Sequence, residues 1–498
     1  MVISLADDLL RIAKGEVLYD SWSRKIYSVD SSNYTLIPSV VVYPRDETDI
    51  ENICQYCFLN HIPITARGAA TGLLGQCLSE NLILDFTKHM NRIIEIGKDH
   101  VIVQPGLVKG ILDRELSKKG KFFPPDPASN NYCTVGGMIA NNSSGSHCLG
   151  YGNTIDFLQE VNLVYSDGSI GFASYKKNKF DDRMSKLLRI LSPNIDLIQG
   201  KYPKVTKNSC GYRLDATITH QKFSPQKILA ASEGTLGLVT SARLKILDVP
   251  LFKYLLVLGF KDLLSALSSV PPILEFSPVA LEMLDHTVSS NVNTATQYSS
   301  NTGCLLFLEF AGDNPNHIER KVTCCKDRLL DKCKMLEIAS DKLSIARIWA
   351  ARKNVLNQVM KLTVGSRKPV GLIEDTVVNP NILREYTQYL LQMYRNYRMN
   401  YVIYGHAGNG NLHTRPFINL SSKNQVTLME HLATEVFNRV INLGGTITGE
   451  HGDGLARTKY IRSVYGQRIF SIFKIIKKLF DPTYIMNPGK KITKKNSF

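Results

Sequence analysis

The chain has 498 residues, 44% hydrophobic and 21% charged, the make-up of an ordinary globular protein long enough for two or three packed units. Its formal net charge of +16 is spread along the sequence. The densest cluster is the tail Lys490, Lys491, Lys494 and Lys495, and no basic motif interleaved with aromatics marks nucleic-acid binding, so a solvated basic surface is expected. No apolar run reaches 18 residues, which excludes a membrane-spanning helix, and Asp7 and Asp8 break the stretch a secretory leader needs.

In chain order, residues 38–44 form a β-branched run and predict a strand. Asp46 then opens a helical pattern in Ile50, Ile53, Cys54, Cys57 and Phe58. Strands follow at 62–66, 82–86 and 101–104. A helix carrying Val108, Ile111, Leu112 and Leu116 ends at Gly120. This alternation predicts an α/β layer. Residues 133–247 are rich in Gly, Asn and Ser and hold a hairpin at 160–172, turned at Asp167-Gly168. After Pro250, strand-like runs (254–260, 304–310) alternate with helical ones (317–338, 382–399), which predicts a separate α+β domain. The ten cysteines have neither disulfide nor metal-cluster spacing, and Cys54 and Cys57 fall at apolar helix positions, so buried thiols in a reducing cytoplasm are expected.

Three segments carry candidate chemistry. Arg67-Gly68-Ala69-Ala70-Thr71-Gly72-Leu73-Leu74-Gly75 follows a strand, and its glycines let the backbone approach a phosphate closely. The spacing is neither the dinucleotide fingerprint nor a P-loop, so a plain turn stays open. Asp126 to Ser129, then Thr134 through Ser146, is dense in small residues. That suits a backbone wrapped around a flat ligand, or a surface loop. Ser232-Glu233-Gly234-Thr235-Leu236-Gly237 runs into an apolar strand.

These segments, in this order, with Tyr151-Gly152-Asn153-Thr154 and Asn208-Ser209-Cys210-Gly211-Tyr212 between them, resemble the FAD domain of the vanillyl-alcohol-oxidase superfamily. The similarity is greatest to the branch of D-lactate, glycolate and D-2-hydroxyglutarate dehydrogenases, and it runs from about Tyr27 to Asn487-Pro488-Gly489-Lys490. The resemblance implies an α+β fold: a two-subdomain, PCMH-type FAD-binding domain at 36–249 and a substrate cap with an antiparallel sheet at 250–455. An N-terminal segment at 1–35 precedes them, and a C-terminal segment at 456–498 returns to the flavin. Arg67, Gly68, Ala69, Ala70, Thr71, Gly72, Leu73 and Gly75 would cradle the pyrophosphate. Asp126, Ser129, Gly136, Gly137, Ala140, Asn141 and Gly145 would line the flavin and ribityl chain. Glu233, Gly234 and Gly237 would lie near the adenine half, and Asn487 near the isoalloxazine. Covalent relatives often place a His in the first loop; Gly68-Ala69-Ala70 here implies noncovalent FAD.

Two further motifs, Gly405-His406-Ala407-Gly408-Asn409-Gly410-Asn411-Leu412-His413 and Gly449-Glu450-His451-Gly452-Asp453-Gly454, hold histidines that glycine turns can bring to one ion. Two imidazoles and the Glu450 carboxylate suit Zn²⁺, Mn²⁺ or Fe²⁺; a hydrogen-bonded glycine turn is the bland alternative. The resemblance makes His406, His413 and Glu450 ligands of a divalent metal, zinc or manganese, and His451 the catalytic base. In Trp349-Ala350-Ala351-Arg352 it makes Arg352 the carboxylate-binding arginine; a helix-surface ion pair is the alternative. Two positions depart from the family: Asn409 replaces an Asp, and Ile373 falls near the lysine that reads a distal carboxylate, with Arg367 or Lys368 as substitutes. The implied reaction is metal-assisted oxidation of a small D-2-hydroxy acid to the 2-keto acid by hydride transfer to flavin N5. The electron acceptor is left open among a separate iron–sulfur protein, a quinone and a cytochrome. A homodimer and peripheral membrane attachment of a cytoplasmic protein are left open too.

Overall fold

The computed structural model describes residues 2–176, 179–289 and 302–493. Strand Val40–Tyr43 pairs in parallel with Leu82–Asp85, and Ile64–Arg67 pairs in parallel on the other side of Leu82–Asp85. Glu16–Leu18 adds an antiparallel edge. Parallel strands need a crossover, and helix Glu47–Leu59 supplies the first. Asp46 starts it by accepting the Asp49 N–H at 2.8 Å. Ile50, Ile53, Cys54 and Cys57 form its buried face, as the 3.6-residue period requires. Burial pushes the Cys57 thiol up to about 12, so it stays protonated. All ten cysteines are free; seven are buried, whereas Cys324 is exposed against expectation.

A five-stranded antiparallel sheet follows, ordered Ile93–Ile96, His100–Val103, Leu238–Lys245, Leu158–Val164, Ile170–Ser174. Its last two strands form the expected hairpin, and Gly168 takes the positive φ of +82° that its turn needs. Beyond Phe252 lies one antiparallel sheet, ordered Lys334–Ala339, Phe252–Phe260, Cys304–Gly312, Ala280–Asp285, Tyr401–His406, Asn411–Ile418, Lys368–Pro369; Thr376–Val377 also pairs with Asn411–Ile418. The architecture is thus α+β.

Two expectations are corrected. Residues 317–338 are not one helix: helix Pro315–Leu329 ends where its apolar period ends, and Lys334–Ala339 becomes an edge strand on Phe252–Phe260. Pairing there overrides local pattern. The tail is not solvated either. After helix Ile461–Phe480 the chain lies along the Ile64 strand, with Ile64 N–H donating to Ile485 O at 2.8 Å and Asn487 N–H to Ile64 O at 2.7 Å. Lys490 and Lys491 are buried. Lys490 Nζ donates to Leu78 O, and Lys491 Nζ pairs with Asp453 at 2.7 Å and Glu233 at 3.2 Å. Buried acids recruit Lys491 inward, since an unpaired buried charge would be expensive, and a backbone carbonyl receives Lys490. Lys494 and Lys495 lie outside the described residues. Among the described residues no helix is long and apolar enough to cross a membrane.

Candidate active site

Most of the residues expected at the cofactor converge. Gly68, Ala69, Ala70, Thr71, Gly72, Leu73, Asp126, Ser129, Gly137, Ala140, Asn141, Gly145, Glu233 and Gly234 line one cleft, whose open space including its mouth is ≈ 1480 Å³. Gly136 and Gly237 line a smaller cavity behind it, which shares Gly68, Gly137, Ala140 and Gly234. Arg67 lines this second cavity, but its guanidinium donates to Tyr27 O at 3.0 Å and Val29 O at 2.8 Å and so clamps the N-terminal segment. Gly75 and Asn487 line neither cavity. Asn487 donates to Glu233 O at 2.6 Å and Gln76 O at 3.0 Å, bracing the backbone beneath the cleft. The Glu233 carboxylate turns to the cap and accepts the Asp453 N–H at 2.6 Å. Glu233 thus lines the cleft while its carboxylate holds the cap, and Asn487 supports the cleft from below.

The other end of the same cleft is lined by Arg352, Lys353, Tyr404, His406, His413, Glu450 and His451. His406 ends strand Tyr401–His406, and the turn through Gly410 (φ +67°) returns the chain as Asn411–Ile418. A Cβ at Gly410 would lie 1.9 Å from Val378 O, so only glycine fits there. The register sets His413 opposite Tyr404, two residues before His406, which puts both histidines on one face. Asp375 places the other motif: its carboxylate accepts the N–H groups of Gly449, Glu450 and His451 at 2.9–3.1 Å and the Thr448 hydroxyl at 2.8 Å.

These supports bring Glu450 Oε1 to 2.8 Å from His406 Nε2 and 3.5 Å from His413 Nε2. One ligand atom from each of the three lies within 4.8 Å of the others. Behind them, Glu282 faces His406 Nδ1 at 2.6 Å and also accepts from Arg352 Nη2 at 2.7 Å. Glu374 faces His451 Nδ1 at 2.9 Å and His413 Nδ1 at 3.4 Å. Glu450 Oε2 takes Ser144 Oγ at 2.6 Å and the buried Lys207 Nζ at 2.9 Å. Burial alone would raise the Glu450 carboxyl, but Lys207 and His406 hold it well below the usual range. Burial would lower His451, yet Asp375 and Glu374 raise it to about 9. The donor set of two imidazoles and a charged carboxylate, each imidazole backed by a second carboxylate, fits a divalent cation. The glycine-lined half fits an elongated phosphate-bearing cofactor.

Arg352 is buried, which removes the helix-surface alternative. Asn409 turns away to Thr206 Oγ1 at 2.8 Å. Ile373 is buried, and Arg367 and Lys368 are exposed and absent from the cleft; the second cation there is Lys353 instead. The sequence reading missed Glu282, Glu374, Asp375, Lys207 and Ser144. Glu282 had a signal: an acid inside the apolar strand Ala280–Asp285 is either paired or very costly.

His147 ties the two halves together. It sits 2.9 Å from Asp126 Oδ2 and 3.3 Å from Glu309 Oε1 of the cap sheet. Burial opposes its charge, but the two carboxylates raise its pKa from 6.5 to about 10. A raised pKa contributes stability that is complete below pH 6.5 and lost as pH rises through about 10. Thermal midpoints of the parent should therefore fall more steeply across that window than those of His147→Asn. Parallel curves would remove this link.

A family model described as FAD binding domain matches residues 38–172, and one described as FAD linked oxidases, C-terminal domain matches 250–491. The chain is 29% identical to a D-2-hydroxyglutarate dehydrogenase of Haemophilus influenzae over 98% of its own length and 51% of that protein's, so it spans about half of that relative. It is 28% identical to the glycolate oxidase subunit GlcD of Bacillus subtilis, over 98% of this chain and 96% of that one. Among solved structures, p-cresol methylhydroxylase superposes with a TM-score of 0.74 at 13% identity, covering 100% of this chain and 98% of that chain, a likeness of fold. The chain belongs to the FAD linked oxidases.

Proposed function

We propose that the chain holds FAD noncovalently and oxidises a small D-2-hydroxy acid, D-lactate-like, to the 2-keto acid with the help of a divalent metal. The observation that carries this reading is the convergence of His406, His413, Glu450, His451 and Arg352 on the cleft that the glycine-rich segments line. Relatives named for D-2-hydroxyglutarate, D-lactate and glycolate oxidation support it. His406, His413 and Glu450 would hold the cation, and Arg352 would bind the substrate carboxylate through its planar fork. When bound, the metal would act as a Lewis acid on the hydroxyl and the flavin as hydride acceptor. His451 would take the hydroxyl proton at Nε2, because Nδ1 is engaged by Glu374. The carboxylates of Asp375 and Glu374 favour a charged His451, and a cation on the neighbouring ligands would oppose that pull.

A second reading, a substrate with a distal carboxylate, is favoured by Lys353 lining the cleft beside Arg352. One experiment tests both. Anaerobic protein is mixed with D- and L-lactate, glycolate and D-2-hydroxyglutarate, with and without a chelator. Bleaching of the flavin by a D-acid, abolished by the chelator, is expected. Faster bleaching by D-2-hydroxyglutarate than by D-lactate selects the second reading. No bleaching by any acid would leave a noncatalytic FAD-binding subunit as the better account.

A further inference from the structure

The rings of His413 and His451 stack, with centroids 4.9 Å and planes 15° apart, although the two residues come from different motifs. One carboxylate reaches both. Glu374 Oε1 hydrogen-bonds His451 Nδ1 at 2.9 Å, and its Oε2 lies 3.4 Å from His413 Nδ1, an ion-pair contact between two buried atoms that make no hydrogen bond of their own. Its backbone is fixed close by, because Thr376–Val377 pairs with Asn411–Ile418 at Thr376 and Leu412. Its charge is fixed too. Arg457 Nη2 lies 3.2 Å from Oε1 and Arg415 Nη2 3.5 Å from Oε2, so each oxygen meets one imidazole and one guanidinium. Glu374 is fully buried and does not line the cleft.

The geometry assigns Glu374 as a positioning residue shared by two functions: it aims His413 Nε2 at Glu450 and His406, and His451 Nε2 at the cleft. This rests on the proposed function. An imidazole whose Nδ1–H is directed at a carboxylate keeps a defined tautomer and presents Nε2 bare, to a cation or to a proton. His406 has a carboxylate of its own, Glu282, which it shares with Arg352 rather than with the base. Asp375 holds the backbone of Glu450 and His451, whereas Glu374 is, among the described residues, the carboxylate that faces Nδ1 of both a ligand and the base, so both functions should fail when it is altered.

The test uses Glu374→Gln in the full chain with FAD retained. Zn²⁺ and Mn²⁺ affinities are measured on chelator-stripped protein, and flavin reduction is measured at saturating metal with D-lactate or D-2-hydroxyglutarate, whichever reduces the parent. Metal affinity should fall about 10- to 100-fold, and reduction should stay at least about tenfold slow with the metal site filled. In a His451→Ala background the same change should slow reduction no further; in a His413→Ala background it should weaken metal no further. Full additive losses in both backgrounds would overturn the assignment and leave Glu374 a packing partner of Arg415 and Arg457. If Glu374→Gln loses FAD, Glu374→Asp keeps the charge and withdraws the carboxylate by one methylene; parent values of both affinity and rate would then overturn it. Single histidine variants that leave metal and rate unchanged would overturn the proposed function and this assignment together.

Discussion

His451→Ala is expected to keep both FAD and metal while flavin reduction slows by about 10²–10⁴-fold, the usual worth of one positioned acid–base group. His406→Ala is expected to lose metal as well as rate. The difference follows from where each ring points. His451 donates Nδ1–H to Glu374 and lies on the cleft, so removing it leaves His406, His413 and Glu450 in place. His406 bridges Glu282 and Glu450, at 2.6 and 2.8 Å. Without it, the buried Glu282 and the largely buried Glu450 lose their common partner, leaving Arg352 beside Glu282 and Lys207 and His413 beside Glu450. A lost ligand thus removes the anchor of the substrate, whereas a lost base raises the barrier of one proton transfer. Elemental analysis, flavin absorbance and anaerobic stopped-flow reduction separate the two variants. Both reducing flavin at the parent rate would make the two histidine motifs structural turns, and the function proposed here would fail.

The residues that line the cleft were largely legible because glycine and histidine are rare where only packing is at stake. Gly410 cannot carry a Cβ, and the hairpin that it turns sets His406 and His413 on one face. The partners behind them were not legible. Glu282 meets His406 across 124 positions, and Lys207 meets Glu450 across 243, distances over which no local pattern speaks. The same limit explains the misread helix at 317–338. Its second half has a pairing partner, Phe252–Phe260, that a window on the sequence does not contain. The buried tail lysines follow suit: Lys491 is inside only because Asp453 and Glu233 are there to receive it. Asn487 stands between these cases. A return of the C-terminal segment to the flavin was expected, whereas the pairing of Asn487 with the Ile64 strand and its role as a brace under Gln76 and Glu233 needed coordinates.

Protein carrying Gly68→Val should purify nearly colourless. A Cβ at Gly68 would fall 2.1 Å from Thr134 Oγ1 and 3.2 Å from Thr134 Cβ, and valine adds two more carbons. Thr134 cannot yield freely, because its hydroxyl accepts the Gly137 N–H and caps helix Val135–Asn141. Either that helix start shifts, carrying Gly136, Gly137, Ala140 and Asn141 with it, or the Gly68 loop moves outward. Both routes change the distance between the two glycine segments on which close backbone approach to a phosphate depends. Loss of the cap alone is a smaller matter, about 1 kcal/mol, so Thr134→Ala should melt lower yet stay yellow. The pair Gly68→Ala and Thr134→Ala should recover flavin relative to Gly68→Ala, since removing Oγ1 relieves the closest contact. Gly200→Ala, with open space around its Cβ, serves as the control. Flavin-to-protein absorbance ratios and FAD titration of stripped protein measure the series. The Gly68→Val affinity should fall by at least about tenfold, about 1.4 kcal/mol. Parent-like FAD binding by that variant would mean that the cofactor does not sit between Gly68 and Thr134.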